Sequence, residues 1–340
     1  MGGADAPPGP ADQGTGRRSA RSLAISYGPI ATVLVGLLVA AGIFVPYFLT
    51  GQNVLNILQQ MAIIGVVSLG MTFVILTGGI DLSVGAVLEL STVVFAACLQ
   101  HGLSPWLSIV IGLALGGAVG LVNGLGFTVF GIQPFVITLA MLAIAEGLAL
   151  TLSGGAEVYF TAHSGVLTFL GGGGIGGLSG EFIVFAVLAV VGWLVLRFIP
   201  FGRFVYAVGG SAETSRLSGI PVKKILTCTY VICGALAALA GIMTACRLGV
   251  GVPTAGGLTN LDAIAAVVIG GTSLMGGRGN IWGTVVGALI LAIIGNIITL
   301  LGISPYQSEI IRGCVIIAAV LLGSINVIRA RRSRTRAARA

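Results

Sequence analysis

Three carboxylates in or beside apolar segments are the residues best suited to chemistry in this chain: Asp81, Glu89 and Glu146. A carboxylate at bilayer depth costs at least ~2.5 kcal/mol, so such a residue usually faces the interior of a helix bundle and has a function there. We therefore expect Glu146 to point into the bundle. We expect Glu89 and Glu146 either to form a matched pair with polar partners or to contact a polar solute.

The stretch TGGIDLSVG (77–85) separates two apolar runs. Its glycines permit an unwound backbone, and its aspartate and serine can cap the helix that follows. Unwound backbone at membrane depth is tolerated only beside a cavity or packed protein, so we expect a translocation path or gate here, with a plain capped turn as the alternative. A weaker echo, GGTSL (270–274), is either coincidence or a second helix break. The candidate path or gate residues are Gly78, Gly79, Asp81, Ser83, Glu89, Glu146, Gly270 and Gly271.

The sequence contains no catalytic or metal-binding constellation. A phosphate-binding loop needs Gly-Lys-Ser/Thr, but the only lysines, Lys223 and Lys224, follow a valine. The glycine run at 171–177 satisfies GxGxxG trivially and does not lie between a strand and a helix. His101 and His163 are isolated, and the five cysteines form no CxxC. We expect no metal, no cofactor and no enzymatic activity of the chain's own.

A polar stretch, FGRFVYAVGGSAETSRLSGIPVKK (201–224), separates two strongly apolar blocks. Its centre predicts a helix of about two turns: Ser211 is a suitable N-cap, and Glu213 and Arg216 carry the charges that the helix dipole favours in the first and last turns. So short a helix is marginal alone, so we expect another protein to hold it, with an ordinary cytoplasmic loop as the alternative. The expected coupling residues are Gly209, Gly210, Ser211, Glu213, Arg216, Leu217 and Gly219.

Composition indicates an integral membrane protein. Hydrophobic residues make up 56% of the 340 residues and charged residues 8%, against about 25% charged in soluble domains. The chain is predicted to be an all-α polytopic membrane protein with about ten transmembrane helices. The apolar runs lie at about 29–49, 54–76, 82–100, 105–129, 134–153, 181–200, 225–246, 262–275, 281–301 and 306–323.

The positive charges predict the topology. With both termini in the cytoplasm, every Lys and Arg except Arg247 and Arg312 lies on the cytoplasmic side, as the positive-inside rule requires. The net charge of +7 therefore reflects topology rather than nucleic-acid binding. We expect Arg312 to pair with Glu309, and the 262–275 run to be a broken or tilted half-span. The predicted regions are a disordered cytoplasmic tail (1–26), a transmembrane domain (27–323), a flexible external loop within it (153–180) and a basic cytoplasmic tail (324–340).

An internal repeat is visible in the sequence. TVFGIQPF (128–135) and TLLGISPY (299–306) each end one span and open the next. The predicted topology places the first copy inside and the second outside. This arrangement predicts an inverted repeat of spans 2–5 and 7–10, which is typical of transporters.

The 201–224 stretch resembles the cytoplasmic coupling segment of permease subunits from bacterial ATP-binding-cassette importers of the ribose, xylose and galactose class. In that family it reads much like FGRxxYAxGGNxxAxRLSGI, and TGGIDLSVG is a second family motif. Ser211, Thr214 and Ser215 stand where the family more often has Asn and Ala, and Glu89 and Glu146 also depart from its pattern. The resemblance extends over residues 54–323.

The resemblance implies the permease subunit of a monosaccharide importer in the bacterial plasma membrane. It implies four kinds of partner: a cytoplasmic ATPase that grips residues 209–220, a second permease copy, an extracytoplasmic sugar-binding protein and membrane lipids. One alternative is an ion-coupled secondary transporter that uses Asp81, Glu89 and Glu146. Another is a membrane scaffold, which would need neither the glycine breaks nor the repeat. The sequence does not identify the sugar.

Overall fold

The computed structural model describes residues 20–304, 307–314 and 317, with side chains from residue 31 onward. The described chain is mostly helical, and residues 307–314 continue as helix beyond the last bounded element. The helices are α1 (Ala20–Phe44), α2 (Gly51–Leu76), α3 (Val84–Gln100), α4 (Pro105–Thr128), α5 (Pro134–Ser153), α6 (Gly165–Leu170), α7 (Gly180–Phe198), α8 (Pro200–Gly210), α9 (Ala212–Leu217), α10 (Val222–Leu248), α11 (Thr259–Ile269) and α12 (Ile281–Leu300). The strands form two antiparallel pairs: β1 (Val158–Tyr159) with β4 (Val250–Gly251), and β2 (Gly174–Ile175) with β3 (Leu178–Ser179).

Among the described residues, six helices are long and apolar enough to cross a membrane, namely α2, α4, α5, α7, α10 and α12. Residues 31–44 of α1, together with α3 and α11, form shorter apolar helices. At 1.5 Å per residue α11 is only ~16 Å long, too short for a bilayer core of ~30 Å, as expected for the 262–275 run. Half of the tenth run, 306–323, lies outside the described residues, so the count of ten stays a prediction.

The first helix differs from the sequence prediction at both ends. It begins at Ala20, inside the segment that was expected to be a disordered tail. It ends at Phe44 rather than near residue 49, because residues 46–49 form a turn in which Tyr47 has a left-handed φ of 61°.

The prediction that residues 153–180 form a flexible loop is wrong, since this segment contains regular structure. Helix α6 is capped by Ser164 and buries Leu167 and Leu170. Strands β2 and β3 form a hairpin whose two turn residues, Gly176 and Gly177, have φ of 62° and 87°. Paired glycines suit the turn that joins two antiparallel strands with the natural twist, so the glycine run builds a hairpin instead of a disordered loop.

The core forms around α2 and α10, which contact each other and most of the other long helices. Glycines let α4 approach α10 until the backbones touch. A β-carbon added at Gly116 would collide with the Gly234 carbonyl, and one at Gly120 would collide with the Tyr230 carbonyl. Small residues at such crossings are typical of membrane bundles, where helices associate through packing rather than through exclusion from water.

Two buried polar pairs join α2 to α12. Asn53 and Asn296 exchange side-chain hydrogen bonds at 2.9 and 2.8 Å. The Thr72 and Thr284 hydroxyls lie 2.7 Å apart. These contacts specify one register between two otherwise apolar helices.

The α4–α10 crossing generates a matched test. We expect Gly116→Ala to destabilise the purified chain by about 1–3 kcal/mol, because the added methyl group overpacks a backbone contact. The neighbouring Gly117→Ala should leave the melting temperature unchanged, because a β-carbon there would meet only Val231, at 3.9 Å. Thermal unfolding in detergent measures both variants. Equal melting temperatures would contradict the tight crossing.

Candidate functional site

Helix α9 has the capped geometry that the sequence predicts. Ser211 Oγ accepts the backbone N–H of Thr214 at 3.2 Å, and Gly219 follows the helix with φ of 79°. The Glu213 and Arg216 side chains form an ion pair at 2.7 Å. The Arg216 guanidinium hydrogen-bonded to Glu213 holds the pKa of that carboxyl below its ordinary value.

The surface of α9 has few contacts with the rest of the described chain. The Glu213 and Arg216 side chains are each about two-thirds exposed, Leu217 is 75% exposed, and within the helix only Ser215 is buried. Gly209 and Gly210 form the last two residues of α8. The break between α8 and α9 therefore falls at Ser211, whose extended backbone separates the two helices.

Helix α8 attaches to the bundle through glycine backbone. We define the glycine junction as Gly78, Gly209, Gly276 and Gly277. A β-carbon at Gly209 would collide with the Leu76 carbonyl, and one at Gly276 would lie 2.8 Å from the Gly209 oxygen and 2.9 Å from the Gly78 nitrogen. Gly277 N–H donates to the Leu76 carbonyl at 2.9 Å. The end of α8 thus rests directly on the end of α2 and on the turn before α12.

The first helix break, between α2 and α3, is closed by hydrogen bonds around Asp81. This buried carboxylate accepts from the Ser83 backbone N–H at 2.9 Å and from the Ser83 hydroxyl at 2.6 Å. Asn123 of α4 donates to the same hydroxyl at 2.9 Å. The expectation that Ser83 caps α3 is half correct: Ser83 is the N-cap residue, but its hydroxyl makes no hydrogen bond to the first turn.

A second helix break, at residues 249–258 between α10 and α11, meets the first one inside the bundle. Glu89 Oε1 accepts the backbone N–H groups of Gly256 at 3.0 Å and of Gly257 at 3.3 Å. Asn260 of α11 donates to the Leu82 carbonyl just before α3, at 3.3 Å. The N-terminal ends of α3 and α11 therefore lie together, where both helix dipoles favour a negative charge.

The predicted pairing of Arg312 with Glu309 is wrong. Arg312 instead forms a 2.8 Å ion pair with Asp262 of α11, a residue that is 4% exposed. Asp262 is the stronger partner because it is buried on a neighbouring helix, where an unpaired carboxylate would be costly.

The prediction that Glu146 points into the bundle is wrong for the single chain. Glu146 is exposed, whereas Ala145 and Ala149 on the neighbouring face of α5 are fully buried. Helix α5 packs through Ala145 and Ala149 against α3, the helix that carries Glu89. The two glutamates therefore lie on neighbouring helices, with Glu89 held at the second break and Glu146 at the surface.

The remaining predicted residues lie at the α9 end of the bundle. Gly79 packs against the Tyr230 ring, Gly270 packs against Gly283 at the start of α12, and Gly271 takes a φ of 85°.

Sequence reasoning missed several residues of these contacts. The signals available were weak: a carboxylate at the edge of a short apolar run, and glycine pairs in a chain with 55 glycines. The missed residues are Asn123, Gly256, Gly257, Asn260, Asp262, Gly276 and Gly277.

Comparison with known proteins identifies the class. Residues 53–320 match the family described as branched-chain amino acid transport system / permease component. The chain is 42% identical over 295 residues to the ribose import permease of Bacillus subtilis, covering 87% of this chain and 91% of the relative. It is 36% identical over 297 residues to the D-allose transport system permease of Escherichia coli, covering 87% and 90%. It is 37% identical over 298 residues to the fructose import permease of Rhizobium meliloti, covering 85% and 83%.

No solved structure matches the chain. The apolar helices and these relatives define an integral membrane permease. The chain belongs to the branched-chain amino acid transport system / permease component family.

The glycine junction generates a second matched test. We expect Gly209→Ala to lower the melting temperature and disturb the α8–α9 segment, because the new methyl group would collide with the Leu76 carbonyl. Gly210→Ala places a methyl group in open space and should behave as wild type. Thermal unfolding together with limited proteolysis of the segment measures both effects. Wild-type behaviour of Gly209→Ala would exclude the close contact.

Proposed function

We propose that this chain is the membrane subunit of an ATP-binding-cassette importer that carries a monosaccharide across the bacterial plasma membrane. Relatives over most of the chain are import permeases for ribose, D-allose and fructose. The observation that carries the proposal is α9: a capped, ion-paired and exposed helix mounted on the bundle through backbone contacts. A helix of this kind provides a rigid surface for a motor protein.

The proposed assembly contains a cytoplasmic ATPase, a second copy of the permease and an extracytoplasmic sugar-binding protein, in contact with membrane lipids. The ATPase supplies the energy, since the sequence has no phosphate-binding loop. The proposed coupling residues on α9 and its flanks are Gly209, Gly210, Ser211, Glu213, Arg216, Leu217 and Gly219. Both termini lie in the cytoplasm, on the same side as α9.

The proposed bundle has ten spans with an inverted repeat. Helices α2 and α10 have 26 and 27 residues, and each is followed by a break and a shorter helix. The loop glycines of the two sequence repeats, Gly131 and Gly302, share left-handed φ values of 70° and 65°. These similarities support two halves of related structure that lie in opposite orientations.

The proposed translocation path runs along the face where α3, α5 and α11 meet, closed by the second copy. A carboxylate that faces lipid on a membrane-spanning helix is costly. The exposed Glu146 therefore supports the presence of water along this face. Glu89 lies on the neighbouring helix α3 and holds the second break. Asp81 and Glu89 accept hydrogen bonds from backbone or hydroxyl groups, which accounts for these two acids without ion coupling.

Coupling is tested at the end of α9. We expect Gly219→Val to leave membrane insertion intact but to weaken co-purification of the ATPase or to uncouple hydrolysis from uptake, because a β-branched residue strains the left-handed backbone. Glu213→Lys should act similarly by breaking the ion pair with Arg216. The control is Gly102→Val, which has an equivalent φ of 80° in open space but lies between α3 and α4. If both α9 variants assembled and transported normally, the segment would be an ordinary loop.

Water access tests the path. In a chain whose native cysteines are replaced, we expect Glu146→Cys to react with a membrane-impermeant thiol reagent applied to the assembled transporter. Ile144→Cys, which is exposed on the other side of α5, should react only with lipid-soluble reagents. Labelling of both positions from the lipid phase alone would place the path elsewhere.

A further inference from the structure

A polar cavity of about 220 Å³ lies at the end of the bundle away from α9. One wall is the first two turns of α2, and the other is the β2–β3 hairpin with the glycines that precede it, residues 172–179. Helix α7 starts at this hairpin and runs ~28 Å before it reaches α8, so the cavity and the glycine junction are at opposite ends. The cavity is smaller than the ~300–1,000 Å³ of sites for drug-sized ligands, which suits a single small molecule.

The lining of the cavity is uncharged and combines hydrogen-bonding groups with the side chains of Leu55 and Leu178. Gln52, Asn56 and Gln59 follow at helical spacings of four and three, so they share one face of α2. Gln52 Nε2 donates to Asn56 Oδ1 at 3.4 Å, and the remaining amide hydrogens and oxygen lone pairs can pair with a ligand. The opposite wall adds peptide groups of Gly172, Gly174 and Gly177, which no β-carbon covers.

The charged groups nearby do not line this cavity. Glu181 is fully buried behind the cavity, next to Gln59, and its Oε2 lies 3.9 Å from Arg247. The amide of Gln59 lies against the turn before the hairpin, since a β-carbon at Gly172 would lie 2.6 Å from its Nε2. The cavity therefore combines uncharged donors and acceptors at positions set by a helix and a hairpin.

We propose that this cavity is a binding subsite for a neutral polyhydroxylated molecule, a monosaccharide, on the extracytoplasmic face of the permease itself. The proposal rests on the sugar-importer function and on the orientation with α9 in the cytoplasm. Hydroxyl groups donate and accept as carboxamides and peptide groups do, so a sugar ring satisfies the lining without a charge. The subsite contacts the sugar outside the membrane, separately from the path beside Glu89 and Glu146.

The test uses the permease–ATPase complex in lipid nanodiscs without the sugar-binding protein. Saturation-transfer NMR measures binding of D-ribose, D-allose and D-fructose, with gluconate and glucosamine as charged counterparts. We expect at least one neutral sugar to bind and both charged molecules to bind more weakly. Asn56→Leu and Gln59→Leu, which keep the bulk and remove the hydrogen bonds, should each weaken binding about tenfold. Val54→Ala, exposed on the same turn but outside the cavity, is the control.

Three results would overturn the subsite: no sugar binding by the wild-type complex, binding unchanged in both Leu variants, or stronger binding of a charged molecule. If the Leu variants instead lose only their affinity for the sugar-binding protein, the cavity receives a polar side chain of that protein and the subsite proposal is wrong. ATP-driven sugar uptake with all subunits present is measured in parallel. If uptake persists while sugar binding at the subsite is not found, the importer function stands and only the subsite is wrong. If ATP-driven uptake is absent, the importer function is overturned.

Discussion

Unpaired backbone groups are the constraint on which this bundle depends. In a lipid-embedded protein every interrupted helix must satisfy its freed N–H and C=O groups within the protein. The chain interrupts two helices, and Glu89 accepts two N–H groups of the second break. The carboxylate of Glu89 thus supplies the hydrogen-bond acceptor that the interrupted helix lacks. The same contact fixes α3 against α11, so the two breaks act as one unit at the centre of the fold.

The bundle also requires backbones to approach one another closely. Glycine permits this approach at the helix breaks and at the α9 end of the bundle. At the breaks, a β-carbon on Gly256 would collide with the Gly85 carbonyl. At the α9 end, the glycine junction places α8 on the end of α2 and on the turn before α12. Glycine-rich composition therefore supports local backbone contacts as well as helix crossings.

The sequence predicted elements far better than contacts. Helical positions followed from apolar runs, and the α9 cap followed from Ser211, Glu213 and Gly219, because capping depends on residues a few positions apart. The partner of Arg312 could not be predicted, since Asp262 is remote in sequence and only packing brings them together. The exposure of Glu146 was missed for a related reason: apolar neighbours along a helix do not reveal which face meets protein, lipid or water.

The backbone contacts of α8 determine how motion at α9 would reach the proposed translocation path. Side chains absorb small displacements by changing rotamer, but the glycine junction consists of main chain on main chain, with Gly277 bonded to the end of α2. A tilt of α8 must therefore move the end of α2, which leads directly into the first break. Asn260 and Glu89 tie that break to the second one and to α11. Under the proposed function, force applied to α9 moves both breaks together, and the Glu89–Glu146 face of the path moves with them.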